Sequence, residues 1–220
     1  MSGFRIPGPL CITRTEPIDA GTSCLWRTPS PGPVCSQSEA VRRWHLMSVS
    51  GGFAPTGMSV SPDGVALLKA VEQLRLEPYD DQTGEAIDQW AAGATVGFGH
   101  LIAKADWGTY KDGITEAVAN ALFATDLAPF EAVVGSSISV GLQQYEYDAL
   151  VIFAFNIGKS GFGKSSVVKL VNDPAAVTAF TSLEAAWKAW NKSQGKVMKG
   201  LDNRRYCEWK IYTVAVYVPW

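Results

Sequence analysis

Histidine is scarce in this chain, with two residues in 220. The four cysteines, Cys11, Cys24, Cys35 and Cys207, form no C-x-x-C pair and have no histidine at ligand spacing. The usual zinc patterns are therefore excluded, and neither a metal nor another cofactor is expected. The first three cysteines leave a disulfide open in an oxidising compartment, and Cys207 reads as a small packed side chain. Charge is sparse too: 18% of residues, net -2. A duplex binder needs a strong basic excess, so nucleic acid is not expected as a partner. No apolar run approaches the ~18–20 residues of a membrane-spanning helix, and no basic head leads into an apolar stretch as in a signal peptide. The chain reads as made in the cytoplasm, without a membrane span.

What is abundant is core-forming material: 47% hydrophobic residues, with 8 Trp, 7 Tyr and 9 Phe. That excludes wholesale disorder and fits one domain with an appendage. The appendage is residues 1–60, which hold 7 of the 12 prolines and repeat Pro7-Gly8-Pro9-Leu10-Cys11 as Pro31-Gly32-Pro33-Val34-Cys35. Proline fixes φ and lacks an N–H, so this segment is expected to be an extended, turn-rich arm. Ser48 to Gly64 reads as its linker. Residues 61–155 carry 4 basic and 14 acidic groups, and residues 156–220 carry 10 basic and 4 acidic. Such a split suggests two lobes of opposite sign facing one cleft, or self-complementary surface charge. The lysines at 159, 164, 169, 188, 192, 196 and 199 read as a solvated basic face.

From residue 61 the pattern turns helical. Asp63 is the expected N-cap of a helix over Val65–Leu76, ended by Pro78. Glycines punctuate β-compatible residues from Asp80 to Phe98, which predicts a small hairpin-like sheet. Helical periods return at Thr115–Leu127, Gln143–Ile157, Ser165–Val171, Ala175–Trp190 and Leu201–Tyr212. The expected class is α+β, mainly α: a small β lobe and a larger helical lobe, with the domain over 61–220.

Glu72 falls near the end of the first helix, at the margin of its apolar arc, where desolvation raises a carboxyl pKa. Asp80 and Asp81 follow in a polar setting. Two carboxyls in contrasting environments are the minimal equipment for glycoside hydrolysis. Taken by itself, this spacing is better read as solvated charge at a helix end. Gly93-Ala94-Thr95-Val96-Gly97-Phe98-Gly99-His100 adds a strand whose backbone passes close to something, with a hydroxyl at Thr95. His100 has no second histidine nearby and reads as a structural hydrogen-bonding residue.

Glu72-x-Leu-Arg-Leu-x-x-Tyr79-x-Asp81, followed by Ala-Thr95-Val-Gly-Phe-Gly-His100, resembles the phage lysozyme family, glycoside hydrolase family twenty-four. Phe153-Ala154-Phe155-Asn156-Ile157-Gly158 resembles its central helix, and Gly200-Leu201-Asp202-Asn203-Arg204-Arg205-Tyr206-Cys207-Glu208 its last helix start. The resemblance covers roughly residues 63–212. It implies a lysozyme-like fold with a saccharide cleft, and hydrolysis of the β-1,4 bond between N-acetylmuramic acid and N-acetylglucosamine in peptidoglycan. It implies Glu72 as general acid, Asp81 as the carboxylate that activates a water, and Thr95 as the residue that helps hold that water. Arg204 is implied as the acid's partner and Asn156 as a cleft-facing substrate residue. The sequence departs from the family at Gln73, where glycine is usual, and in the 13 residues between Asp81 and Thr95. The longer connection leaves Asp80, Glu85 and Asp88 as alternatives to Asp81; Tyr79 fixes the register in favour of Asp81.

An inverting muramidase that lyses bacteria is the implied activity. The alternatives are a non-catalytic peptidoglycan-binding protein on the same scaffold and a lytic transglycosylase. Peptidoglycan strands are the expected partner. Delivery to the periplasmic cell wall is expected through holin release, as a phage endolysin, or through a secretion system, as an antibacterial type VI effector. The second route implies an immunity protein, or machinery that reads residues 1–60.

Overall fold

The computed structural model describes residues 52–220; the Pro-Gly-Pro repeat and Cys11, Cys24 and Cys35 lie outside them. The first helix, α1, runs over Pro62–Glu72. Its cap is Ser61, whose hydroxyl accepts from the Gly64 N–H, and Pro62 takes the first turn, where its missing N–H costs nothing. The expected cap, Asp63, sits one residue inside, in the first turn. The helix also stops four residues short of Leu76. Gln73 follows Glu72 with φ 58° and ψ 139°, which ends the helical ladder, and Leu74 and Leu76 are exposed. Pro78 is not the terminator. It lies within strand β1, Arg75–Asp80, and its carbonyl accepts from Ile87 N–H.

Strands β1, β2 (Ala94–Gly97) and β3 (His100–Leu101) form an antiparallel sheet in that order. Tyr79 pairs with Thr95, and Thr95 in turn with Leu101. The long β1–β2 connection folds back on β1: Asp80 N–H donates to Glu85 O, and Tyr79 bridges Ala86. The expected longer hairpin is thus present. Ala94, Val96 and Ile102 form a small core beneath it, covered by Trp90, Trp107 and Tyr110. A short helix, α2 (Trp107–Tyr110), closes this lobe.

Helix α3, Glu116–Ser137, connects the sheet to the helical body, touching β2 at one end and α4 (Gln144–Ile157) and α5 (Lys159–Lys164) beyond. It corrects one expectation: α3 is long and apolar enough by composition to cross a membrane, with mean hydropathy 1.3. Asn120, Asp126 and Glu131 interrupt its apolar residues, so no unbroken apolar run marks it in the sequence. In the fold its buried residues, Phe123, Leu127 and Val134, face the main core.

Helix α4 is the axis of the larger lobe and is buried continuously from Glu146 to Ala154. It packs on α1, α3, α5 and α8 (Lys199–Val214). Helix α6 is Ser166–Asn172. The expected helix over Ala175–Trp190 is reduced to α7, Leu183–Lys188. Side-chain turns displace the rest: Asp173 Oδ1 accepts from Ala175 N–H, Thr178 Oγ1 accepts from Phe180 N–H, and Ser182 caps the new start. These residues compete with the helix for backbone donors. A hairpin, β4 (Lys192–Ser193) and β5 (Lys196–Val197), leads into α8. The fold is therefore mainly helical, with two cores and a small sheet.

The expected linker is not free over its described part. Phe53 and Leu142 exchange two backbone hydrogen bonds, Val60 N–H donates to Glu131 Oε1, and Ser61 N–H donates to Asp148 Oδ1. Gly52 and Gly141 meet here so closely that a Cβ on Gly52 would lie 2.5 Å from Gly141 backbone.

Candidate active site

The end of α1 delivers Glu72 to the junction of the two lobes. Its side chain is 27% exposed, and Oε1 lies 3.9 Å from Arg204 Nη1 on α8. Burial pushes the Glu72 pKa up from its usual value, while the Arg204 charge opposes the rise. Gly99, with φ +92°, passes beside the acid; a Cβ there would lie 3.9 Å from Glu72 Oε2. The glycine-framed strand of the sequence thus skirts the carboxyl group.

Arg204 is held from behind. Its Nε donates to Glu208 Oε1 at 3.0 Å and its Nη2 to the Ile152 carbonyl at 3.4 Å. Glu208, wholly buried, also accepts from Arg205 Nη2 at 2.9 Å and from Trp187 Nε1 at 3.0 Å. Burial lowers the Arg205 pKa to about 10. Two guanidinium groups thus share one buried carboxylate, and Glu72 is the second carboxyl within reach. The i, i+4 spacing of Arg204 and Glu208 was the sequence signal for this cluster.

Across the site, Asp81 opens the connection after β1. Its N–H donates to Gly93 O at 3.1 Å, and Thr95 Oγ1 donates to the same carbonyl at 2.8 Å. One peptide group therefore fixes both residues. Gly93, at φ +99°, leaves room for the Asp81 carboxyl. The Thr95 side chain is buried, and its hydroxyl proton is engaged by Gly93; its lone pairs remain to accept. The other acidic candidates differ. Asp80 Oδ1 accepts from Gln82 N–H in a local turn, and Glu85 and Asp88 are exposed.

Tyr79 links the two halves and was read from sequence only as a register mark. It lies opposite Thr95 across the ladder, where side chains share a face. Its phenol pKa is raised, first by burial, with the charges of both Glu72 and Asp81 adding to the rise and Arg75 opposing it. Arg75 stacks on its ring, 4.2 Å from the centroid. Asn156 is exposed at the end of α4, and its Oδ1 accepts from Arg205 Nη2 at 2.5 Å; the contact is to the neighbour of Arg204, not to Glu72. His100 Nδ1 lies 2.8 Å from Asp126 Oδ2, and its ring meets the edge of Tyr110, a structural tie between β3 and α3. No cluster of metal-ligating side chains occurs among the described residues.

The sequence and the fold are matched by known proteins. Residues 69–208 match the family model for phage lysozyme. The chain belongs to the phage lysozyme family. It is 32% identical over 162 residues to an endolysin of Acyrthosiphon pisum secondary endosymbiont phage 1, covering 72% of this chain and all of that protein. It is equally identical over 155 residues to an endolysin of Bacillus phage PZA, but spans only 55% of that relative's length. Among solved structures, an endolysin from Escherichia coli O157:H7 phage FAHEc1 superposes with TM-score 0.58 at 30% identity, over 74% of this chain and 98% of that one. The muramidase domain of SpmX from Asticaccaulis excentricus superposes with TM-score 0.54 at 29% identity, over 70% and 97%. The family assignment makes this lysozyme a glycoside hydrolase whose substrate class is peptidoglycan.

Proposed function

We propose that this lysozyme cleaves the β-1,4 bond between N-acetylmuramic acid and N-acetylglucosamine by an inverting mechanism, with Glu72 as the general acid. The observation that carries this reading is the position of Glu72: three-quarters shielded, its pKa raised by burial, with Arg204 3.9 Å away. Burial keeps the acid protonated at higher pH. Arg204 then favours the carboxylate that forms as the proton passes to the glycosidic oxygen. The two influences make Glu72 a proton donor that is both loaded and ready to release.

Asp81 accepts a proton from the attacking water on the opposite face of the sugar. Thr95 offers that water a lone pair, its own proton being held by Gly93 O. Tyr79 lies near enough to both carboxyls for their charges to raise its phenol pKa. An inverting site needs its carboxyls ~6.5–9.5 Å apart to admit water, against ~5–5.5 Å for a retaining one. Asn156, anchored by Arg205, is assigned to substrate contact.

We place the catalytic domain at 61–220, with residues 53–60 lying on its surface and the Pro/Gly-rich segment ahead of them. The relatives named endolysin support an endolysin role at the cell wall. A secretion-delivered role with an immunity partner rests on the composition of residues 1–60 and has no support among the described residues.

The test is turbidity loss on purified peptidoglycan, wild type against Glu72→Gln. Activity is expected to vanish while the circular dichroism spectrum stays unchanged; a Glu72→Gln protein with near-wild-type lysis overturns the acid assignment. Mass spectrometry of the released muropeptides separates hydrolysis from transglycosylation, since 1,6-anhydro ends refute the former. The anomer first released, followed by NMR, decides inversion against retention.

A further inference from the structure

The residues on either side of the stretch shared with the family, 69–208, converge on it at two points. After α8 the chain reverses at Ala215, with φ 55°, whose N–H donates to Ile211 O. Residues 216–220 then run back over the helical body, and Tyr217 and Trp220 pack on its core. Tyr217 OH donates to Asp148 Oδ2 at 2.6 Å. Asp148, wholly buried on α4, also accepts from Ser61 N–H, from the Ser61 hydroxyl and from Gln144 Nε2. One carboxylate therefore ties the cap residue of the acid's helix to the segment after α8. Three residues on, the Trp220 ring covers Arg204, with Cζ 4.6 Å from its centroid.

We propose that Trp220 is a positioning residue for the general acid, acting through Arg204. Arg204 is tied at Nε to Glu208 and, by a long 3.4 Å bond, at Nη2 to the Ile152 carbonyl, which leaves its guanidinium plane free to rock about Nε and carry Nη1 off line. An aromatic face laid against the plane removes that freedom and strengthens with desolvation; Arg204 is 8% exposed. The stacked plane aims Nη1 at Glu72. Tyr217, fastened to Asp148, sets the path that brings Trp220 there. Neither residue lies in the stretch matched to the family model.

The inference rests on Glu72 being the acid. The charged and titratable groups around Glu72 and its partner are Arg204, Arg205 and Glu208 on α8, and Tyr79 with Arg75 on β1. His100 follows Gly99 but is engaged by Asp126. Arg204 is the group that draws the acid's titration downward. Losing its fixed aim therefore lets the upper, alkaline limb of the activity profile move to higher pH.

The experiment measures kcat and KM on soluble, un-cross-linked peptidoglycan strands across pH. The proteins are wild type, Trp220→Ala, Trp220→Phe, Trp220→Leu, Arg204→Gln and the Arg204→Gln/Trp220→Ala double variant, with Glu72→Gln in parallel and the melting temperature of each recorded. Trp220→Ala is expected to lower kcat about three- to ten-fold, leave KM unchanged and move the alkaline limb upward. Phe, which keeps a π-face, restores the profile; Leu, which keeps bulk alone, does not. In the Arg204→Gln background the Trp220 change moves the limb no further. An unmoved limb in Trp220→Ala, or full rescue by Leu, overturns the proposal and leaves Trp220 a packing residue. Should Trp220→Ala fail to fold, Phe against Leu decides. An active Glu72→Gln overturns the acid assignment itself; an inactive one with an unmoved limb overturns only the role of Trp220.

Discussion

A Cβ on Gly93 would stand 2.6 Å from Asp81 Oδ1. This contact fixes where the second carboxylate can be. The Gly93 carbonyl holds Asp81 by its N–H, and the missing side chain leaves the space its carboxyl fills. Gly93→Ala is expected to push the Asp81 carboxyl aside, and misplacement by about 1 Å can cost roughly 10²-fold in rate. Backbone strain at φ +99° adds a stability cost of about 1–2 kcal/mol. Gly84→Ala is the matched control: φ is +75° and nothing lies near its Cβ position. It should lose stability and keep its specific activity. Peptidoglycan turnover per folded molecule separates the two; equal losses remove Asp81 from the reaction.

Gln73, directly after the acid, occupies φ 58° and ψ 139°, a region that glycine enters freely and a side chain does not. Gln73 therefore ends the helix in a turn that strains its side chain. Gln73→Gly relieves strain of order 1–3 kcal/mol and loses some of that through unfolded-chain entropy. A net gain of about 1 kcal/mol is expected, with activity retained. Urea denaturation at fixed pH measures it, and a destabilised Gln73→Gly contradicts the strain.

The same residue shows where sequence reasoning reached its limit. The ends of α4 and the body of α8 were legible because apolar spacing at 3.6 residues persists through them. The identities of Glu72, Asp81, Thr95 and Arg204 came from motif order, and the structure places Arg204 against Glu72 and joins Asp81 to Thr95 through Gly93. The stop after Glu72 was not legible, since a positive φ at glutamine leaves no local signature. Residues 175–182 looked helical because alanine favours helix, yet Asp173, Thr178 and Ser182 give the backbone closer partners. Tyr217 on Asp148 and Trp220 on Arg204 join residues 69 and 16 positions apart. Contacts across such distances belong to the tertiary fold and carry no spacing rule.

The charge of Arg204 should be visible in the pH profile. Burial raises the Glu72 pKa and Arg204 pulls it back. Arg204→Gln therefore moves the alkaline limb of kcat/KM upward, while kcat falls because the developing carboxylate loses its partner. Glu208 keeps Arg205 and Trp187 as donors in that variant, so the buried carboxylate is not left bare. A downward shift of the limb contradicts this electrostatic role. The raised pKa also fixes a stability trend. A carboxyl that binds its proton more tightly in the folded state stabilises fully below its unfolded value, 4.5, and that contribution is lost as pH rises through the folded value. Above the unfolded value, shielding Glu72 therefore costs stability. Glu72→Gln should be more stable than wild type near pH 7, and the difference should shrink toward zero below about pH 4.5. Paired urea melts at the two pH values test the sign.

Asp148 carries the heaviest structural prediction. It is wholly buried and accepts from Ser61 twice, Gln144 and Tyr217. Its charge also faces the start of α1, where exposed peptide N–H groups favour an anion. Asp148→Ala leaves these donors without their shared acceptor and is expected to cost about 1–3 kcal/mol. Tyr217→Phe removes one donor while keeping the ring, and should cost only about 1–2 kcal/mol. The two changes act on one cluster, so their effects should not add: Tyr217→Phe in the Asp148→Ala background should cost markedly less than it does alone. Denaturant melts of the four proteins measure the coupling. Simple additivity shows that the Tyr217 hydroxyl does not act through Asp148, and that Asp148 does not tie the segment after α8 to the helix of the acid.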